Sequence, residues 1–78
     1  MQWQEIREHY PRQWLLLEAL EAHSEHEKRI LDRLAVLGTY SDSPTALKVY
    51  AQVHREAPNK EYYVFHTSRE NLNVGERH

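Results

Sequence analysis

The chain has 78 residues, no cysteine, 40% hydrophobic and 28% charged residues and a formal net charge of −2. One small domain is the most that this length supports, and the lack of thiols excludes disulfide staples, thiol catalysis and Cys-ligated zinc. Mixed charges with no basic block leave no electrostatic footprint for a phosphate backbone, and no apolar run approaches the roughly 20 residues of a membrane span.

Seven of the eight aromatic residues are Trp or Tyr, a composition of folded rather than disordered chains. The opening Met1-Gln2-Trp3-Gln4-Glu5 reads as neither a signal peptide nor a lipidation signal, so the expected location is the cytoplasm.

Trp3, Ile6 and Tyr10 lie on one stripe of a short amphipathic helix that Pro11 ends, with Trp3 as its anchor. Trp14 to His23 begins as an unbroken apolar run and then alternates from Glu18, which predicts a strand covered on both faces at its start. Leu, Ala and Glu also suit a helix, but the preceding Tyr10-Pro11 turn and a similar segment downstream favour the strand. His23 to Lys28 is polar and holds the hairpin turn. It lacks an Asn-Gly or Gly-Gly pair, so a loop longer than two residues is expected. Arg29 to Tyr40 forms the second strand. Asp32 interrupts the inward set of Ile30, Leu34 and Val36, and a β-bulge near Leu31 to Arg33 would restore it. Gly38 marks a bend or a close approach.

Ser41-Asp42-Ser43-Pro44 starts a second helix, with Ser43 as N-cap and Pro44 at the first helical position. Its apolar face comprises Ala46, Leu47, Tyr50, Ala51, Val53 and His54, and it stops at Ala57-Pro58. Glu61 to Thr67 is the strongest strand in the chain. The spacing of Thr67-Ser68-Arg69-Glu70 suits a capping box and one further helical turn, and residues 71–78 read as a frayed tail of the single domain 1–78. The order helix, strand, strand, helix, strand predicts an α+β fold. A hairpin followed by a right-handed crossover gives a three-stranded mixed sheet in the order 2-1-3, packed against two helices.

Candidate chemistry is sparse. His23 and His26, with Glu25 and Glu27, form the one local set of metal ligands, but a polar loop does not organise them and a solvated turn is the better reading. His66 beside Thr67 and Ser68 pairs a base with hydroxyls. No oxyanion-hole motif or orienting third group accompanies it, so no catalytic residue is assigned and no cofactor is expected. Tyr62, Tyr63 and Phe65 suggest a base-stacking platform, yet the chain is acidic and core packing explains them more simply. Leu15 and Leu17 project to one face of the first strand, and Trp14 and Leu16 to the other. Two short helices should not cover both faces, so Trp14, Leu15, Leu16 and Leu17 are the expected interface residues.

The spacing Trp3-x-x-Ile6-x-x-x-Tyr10-Pro11-x-x-Trp14, with Tyr63-Val64-Phe65-His66-Thr67-Ser68 near the end, resembles a group of small uncharacterised bacterial proteins. The resemblance spans nearly the whole chain. It implies a bacterial cytoplasmic protein and brings no activity or site residue with it. The favoured function is a non-enzymatic interaction or regulatory module that forms a homodimer through an apolar sheet face or an unpaired strand edge. The alternative is a small ligand-binding domain or enzyme centred on His66 and Ser68 with Trp14 or Tyr10, and nucleic-acid binding is a third reading.

Overall fold

A computed structural model describes residues 1–72 and the backbone of Val74 and Gly75. The elements run α1 (Trp3–His9), β1 (Trp14–Glu25), β2 (Lys28–Tyr40), α2 (Ser43–Glu56), β3 (Tyr62–His66) and β4 (Val74–Gly75). The sheet order is β3-β1-β2-β4. The α+β class and the central order 2-1-3 are as the sequence predicts. The sheet is antiparallel throughout, not mixed. The reason is geometric: a strand that runs parallel to β2 but lies beyond β1 touches only β1, which runs the opposite way.

Two layers of helix cover the sheet. On one face Trp3 and Ile6 of α1 pack with Leu15, Leu17, Leu34 and Phe65. Leu16 points to the other face, where α2 packs across β1, β2 and β3 and buries Ala46. Leu15 and Leu17 are 0% exposed and Leu16 is 1% exposed. The expected interface through Leu15, Leu16 and Leu17 is therefore corrected: each is sealed inside the chain. The seven residues of α1 suffice because Trp3 and Ile6 supply bulk where it is needed. Truncating Leu15 to Ala would cost roughly 2–5 kcal/mol, a large share of the roughly 4–12 kcal/mol that a domain of this length has.

The hairpin differs from its expectation. Glu25 pairs with Lys28, so the loop is only His26-Glu27, and these residues take φ of 49° and 61°. Positive φ at both central positions is the geometry of a type I′ turn, whose twist matches the strands it joins. The bulge expected at Leu31–Arg33 is present. Glu21 faces Arg33 and Ala22 faces Leu31, so Asp32 is the extra residue. It brings Leu31, rather than Ile30, to the face of Leu34 and Val36. Leu37 and Leu20 are skipped at the other register shifts, and both are exposed. Gly38 makes a close approach: a Cβ there would collide with the Tyr40 ring, which lies along its own strand over the glycine.

Asp42, not Ser43, caps α2, its Oδ1 accepting from Thr45 N at 2.8 Å. The inward stripe of α2 is Ala46, Val49, Tyr50 and Val53, while Leu47, Ala51 and His54 lie exposed beside it. Thr67 and Ser68 form a turn closed by Arg69 N donating to His66 O at 3.1 Å, in place of the expected helical turn. Within the tail expected to fray, Val74 and Gly75 pair with Arg29 and Lys28. The rest of that expectation, at residue 73 and residues 76–78, lies outside the described residues. No described helix is long and apolar enough to cross a membrane.

Candidate functional site

The residues that carry the opening and closing sequence patterns meet in space. Trp3 Nε1 donates to Arg69 O at 2.7 Å, and Arg7 Nε donates to Thr67 O at 3.0 Å. Thr67 is 4% exposed, and its Oγ1 accepts from Gln13 N while its own N donates to Gln13 O, both at 3.0 Å. Arg69 sits over the Phe65 ring, 4.8 Å from its centre. Together these contacts clamp α1 to the end of β3.

His66 lies beside that clamp. Its ring meets Trp14 edge-on at 5.1 Å, because the two residues face each other across the β1–β3 ladder. Ser68 Oγ is 2.8 Å from His66 Nδ1, and Ser68 N also donates to Nδ1 at 3.1 Å. The Ser68 backbone N–H makes Nδ1 an acceptor, which places the neutral ring's proton on Nε2 and leaves the Ser68 hydroxyl as a second donor to Nδ1. The serine proton thus points at a nitrogen already engaged by the serine's own backbone. That is a side-chain-closed turn. Among the described residues His66 Nε2 has no hydrogen-bond partner. Tyr10 packs against the α1-side core instead of joining this group.

His23 lies near the end of β1, its Nδ1 2.6 Å from Asp32 Oδ2 and its Nε2 3.2 Å from Glu25 Oε2. Asp32 first, and Glu25 second, raise its pKa above the ordinary 6.5. His26 projects from the turn and lies 3.8 Å from Glu25. Among the described residues no group of three or more His, Asp or Glu side chains is arranged to hold a metal ion.

A second polar network joins β2 to the start of β3. Arg29 grips Glu61 through Nε–Oε2 at 3.1 Å and Nη2–Oε1 at 2.8 Å, and the Tyr63 hydroxyl donates to Glu61 Oε2. Bonding to Arg29 holds the Glu61 carboxyl below its usual range, and burial together with Glu61 pushes the Tyr63 phenol well above its own. Sequence reasoning misses this network. Its one local signal is the shared strand face of Glu61 and Tyr63, and their partner Arg29 lies 32 residues away. Nearby, Glu18, Leu20, Asp32, Asn59 and Lys60 line an open polar cleft of about 520 Å³.

The remaining feature is an edge. Hydrogen bonds link Ala19 N to Glu61 O at 2.8 Å and Thr67 N to Gln13 O at 3.0 Å. The register between them is unbroken, so with period 2 the backbone groups of Tyr63 and Phe65 point toward β1. Those of Tyr62, Val64 and His66 therefore point outward, and among the described residues nothing pairs with Tyr62 or Val64 on that side. Beside this edge Leu47, Tyr50, Tyr62, Tyr63 and Val64 line a mainly apolar groove of about 340 Å³. Leu47 is 52% exposed, and Tyr50 stacks on His54 at 5.8 Å.

The opposite edge is treated differently. Leu34 N donates to Met1 O at 2.9 Å, and Met1 N donates to Leu34 O at 2.7 Å. Val74 and Gly75 cover Arg29 and Lys28, and the bulges at Asp32 and Leu37 break the line. No protein-family model matches the sequence, and no curated protein or solved structure matches it, so the functional reading rests on this geometry alone.

Proposed function

We propose that the protein is a non-enzymatic interaction module, working in the cytoplasm, whose binding surface is the outer edge of β3 with the adjoining Leu47–Tyr50 groove. The observation that carries this is the contrast between the two edges. Proteins blunt exposed edges with charge, proline, bulges or a covering segment. β2 has bulges, charged residues and cover. Tyr62-Tyr63-Val64-Phe65-His66 has no Asp, Glu, Lys, Arg, proline or register shift. An added strand would gain backbone hydrogen bonds from the outward groups, and the groove would read alternate side chains.

The test is capture by the immobilised chain from lysate of its native host, beside Val64→Pro and Leu37→Ala. Proline removes an outward N–H that the fold does not use, and edge strands tolerate it. Leu37 is exposed and lies on β2, which β1 separates from β3. Protein retained by the parent and by Leu37→Ala, and lost with Val64→Pro, is the expected result. Equal retention by Val64→Pro would reject the edge as the binding surface.

A further inference from the structure

The edge of β3 is self-complementary. Building on the interaction reading above, we infer that its partner is a second copy of the chain: β3 pairs antiparallel with β3 of that copy, about a two-fold axis through Val64, joining the two sheets into one.

The register fixes that choice. The outward residues are Tyr62, Val64 and His66, and Val64 is the middle one. A turn closes each end of the strand, through Lys60 N to Ala57 O at 3.2 Å and Arg69 N to His66 O at 3.1 Å. An axis at Val64 is the arrangement in which every outward group lies opposite an outward group of the other copy. The hydrogen-bonded pairs are then Val64 with Val64 in both directions, and Tyr62 with His66 through His66 N donating to Tyr62 O, the His66 carbonyl being already held by Arg69 N.

The side chains match in the same register. Val64 meets its own symmetry mate, a β-branched pair. Tyr62 meets His66, and Tyr63 meets Phe65, both aromatic pairs of the kind that stabilise ladders. His66 already lies edge-on to Trp14, so the aromatic row would continue from Trp14 through His66 to Tyr62 of the other copy. Polar residues face polar residues: Glu61 meets Thr67, and Lys60 meets Ser68. No like charges are opposed across the ladder.

Other registers lose this match. Moving the axis to Tyr63 sets Glu61 against Phe65 and Lys60 against His66. Moving it to Phe65 runs Tyr62 and Tyr63 into the Thr67–Ser68 turn, where the chain has left the strand. A homodimer axis maps one patch onto itself, and this strand is self-complementary at a single centre. The exposed flank of α2 lies beside that centre, so Leu47 and Tyr50 of each copy would line the same seam.

The experiment is light scattering on the intact chain with variants at the axis. The expected mass is twice the 9.4 kDa of one chain. Val64→Pro should weaken dimerisation by about 100-fold, because the central reciprocal hydrogen bonds are lost in both copies. Val64→Lys, which keeps the N–H but places charge against charge, should also give monomer. Val64→Cys supplies a test that does not need a disrupted dimer. The chain has no other thiol, and hydrogen-bonded antiparallel partners have Cα atoms about 5.5 Å apart, within disulfide reach. Mild oxidation should cross-link Val64→Cys at least tenfold faster than Leu37→Cys at the same concentration.

A dimer unaffected by Val64→Pro, or equal cross-linking at both cysteines, would overturn the proposal. A monomer at all concentrations, with a host protein still captured in a Val64→Pro-sensitive way, would overturn the second copy and leave the edge reading standing. A monomer with no such capture would overturn both.

Discussion

Replacing His26-Glu27 by Asn-Gly should stabilise the fold. These two residues are the whole hairpin loop, and they hold φ of 49° and 61°. A left-handed backbone costs a residue with a Cβ about 1–2 kcal/mol, and asparagine and glycine escape most of that cost. Glycine returns about 0.5–1 kcal/mol by loosening the unfolded chain. His26 lies 3.8 Å from Glu25 with its side chain 89% exposed, so losing that contact does not change the sum. The net gain is at least about 1 kcal/mol, and for a domain of this size each 1 kcal/mol raises Tm by about 4–8 °C. Thermal unfolding followed by far-ultraviolet circular dichroism measures it. Glu27→Gly alone should give part of the gain, and Glu27→Val should lower Tm, since a β-branched residue resists positive φ. An unchanged or lowered Tm for the Asn-Gly variant would refute a tight primed turn and restore the longer loop that the sequence suggests.

Thr67→Val leaves the Gln13 N–H without its acceptor in a nearly closed site, so urea unfolding should show a loss of about 1–3 kcal/mol, with Thr67→Ser largely restoring it. Glu61 has a lowered folded pKa, so in the unfolded chain it takes up its proton first as pH falls. The stability it contributes is therefore complete above about 4.5 and is lost as pH drops below that value, and Arg29→Gln should flatten this acid arm in urea midpoints. Tyr63 has a raised pKa, so its contribution is complete below pH 10 and is lost above it, where the unfolded phenol ionises first. Tyr63→Phe should flatten that alkaline arm. His23 should titrate above 6.5 by NMR, and Asp32→Asn should bring its midpoint down; a midpoint indifferent to Asp32 would mean the pair does not form in solution.

Local patterns carry most of the chain order. The unbroken Trp14–Leu17 run marks a strand covered on both faces, and the conflict at Asp32 marks a bulge. Leu15 and Leu17 read as surplus surface in the sequence because a short helix is a small lid, but the cluster that Trp3 and Ile6 form with them buries both. The surplus sits instead on α2, where the apolar stripe is wider than the strip the sheet can cover, leaving Leu47 exposed. The features hidden from the sequence are those made between distant residues: Met1 on Leu34, Val74–Gly75 on β2, Arg29 on Glu61. Periodicity describes one element at a time and cannot report which edge a distant segment will cover. The His66–Ser68 pair shows the opposite limit. Its spacing is visible, but only the geometry shows Ser68 closing its own turn onto Nδ1.

The way β3 is held also favours strand addition. An extended strand that must order itself on binding gives up much of the gain in lost freedom. β3 has no such freedom to lose. Its inner side is paired with β1 without a register shift, Phe65 lies in the α1-side core, and Tyr62 is buried on the α2 side. The Thr67 clamp fixes one end, and the turn from Ala57 to Lys60 fixes the other. What remains outward is a rigid row of donors and acceptors at a fixed pitch, set beside an apolar groove. The same contacts that stabilise the isolated chain therefore prepare its one unguarded edge among the described residues, which is why loosening the clamp with Thr67→Val should weaken strand addition even though Thr67 itself faces inward.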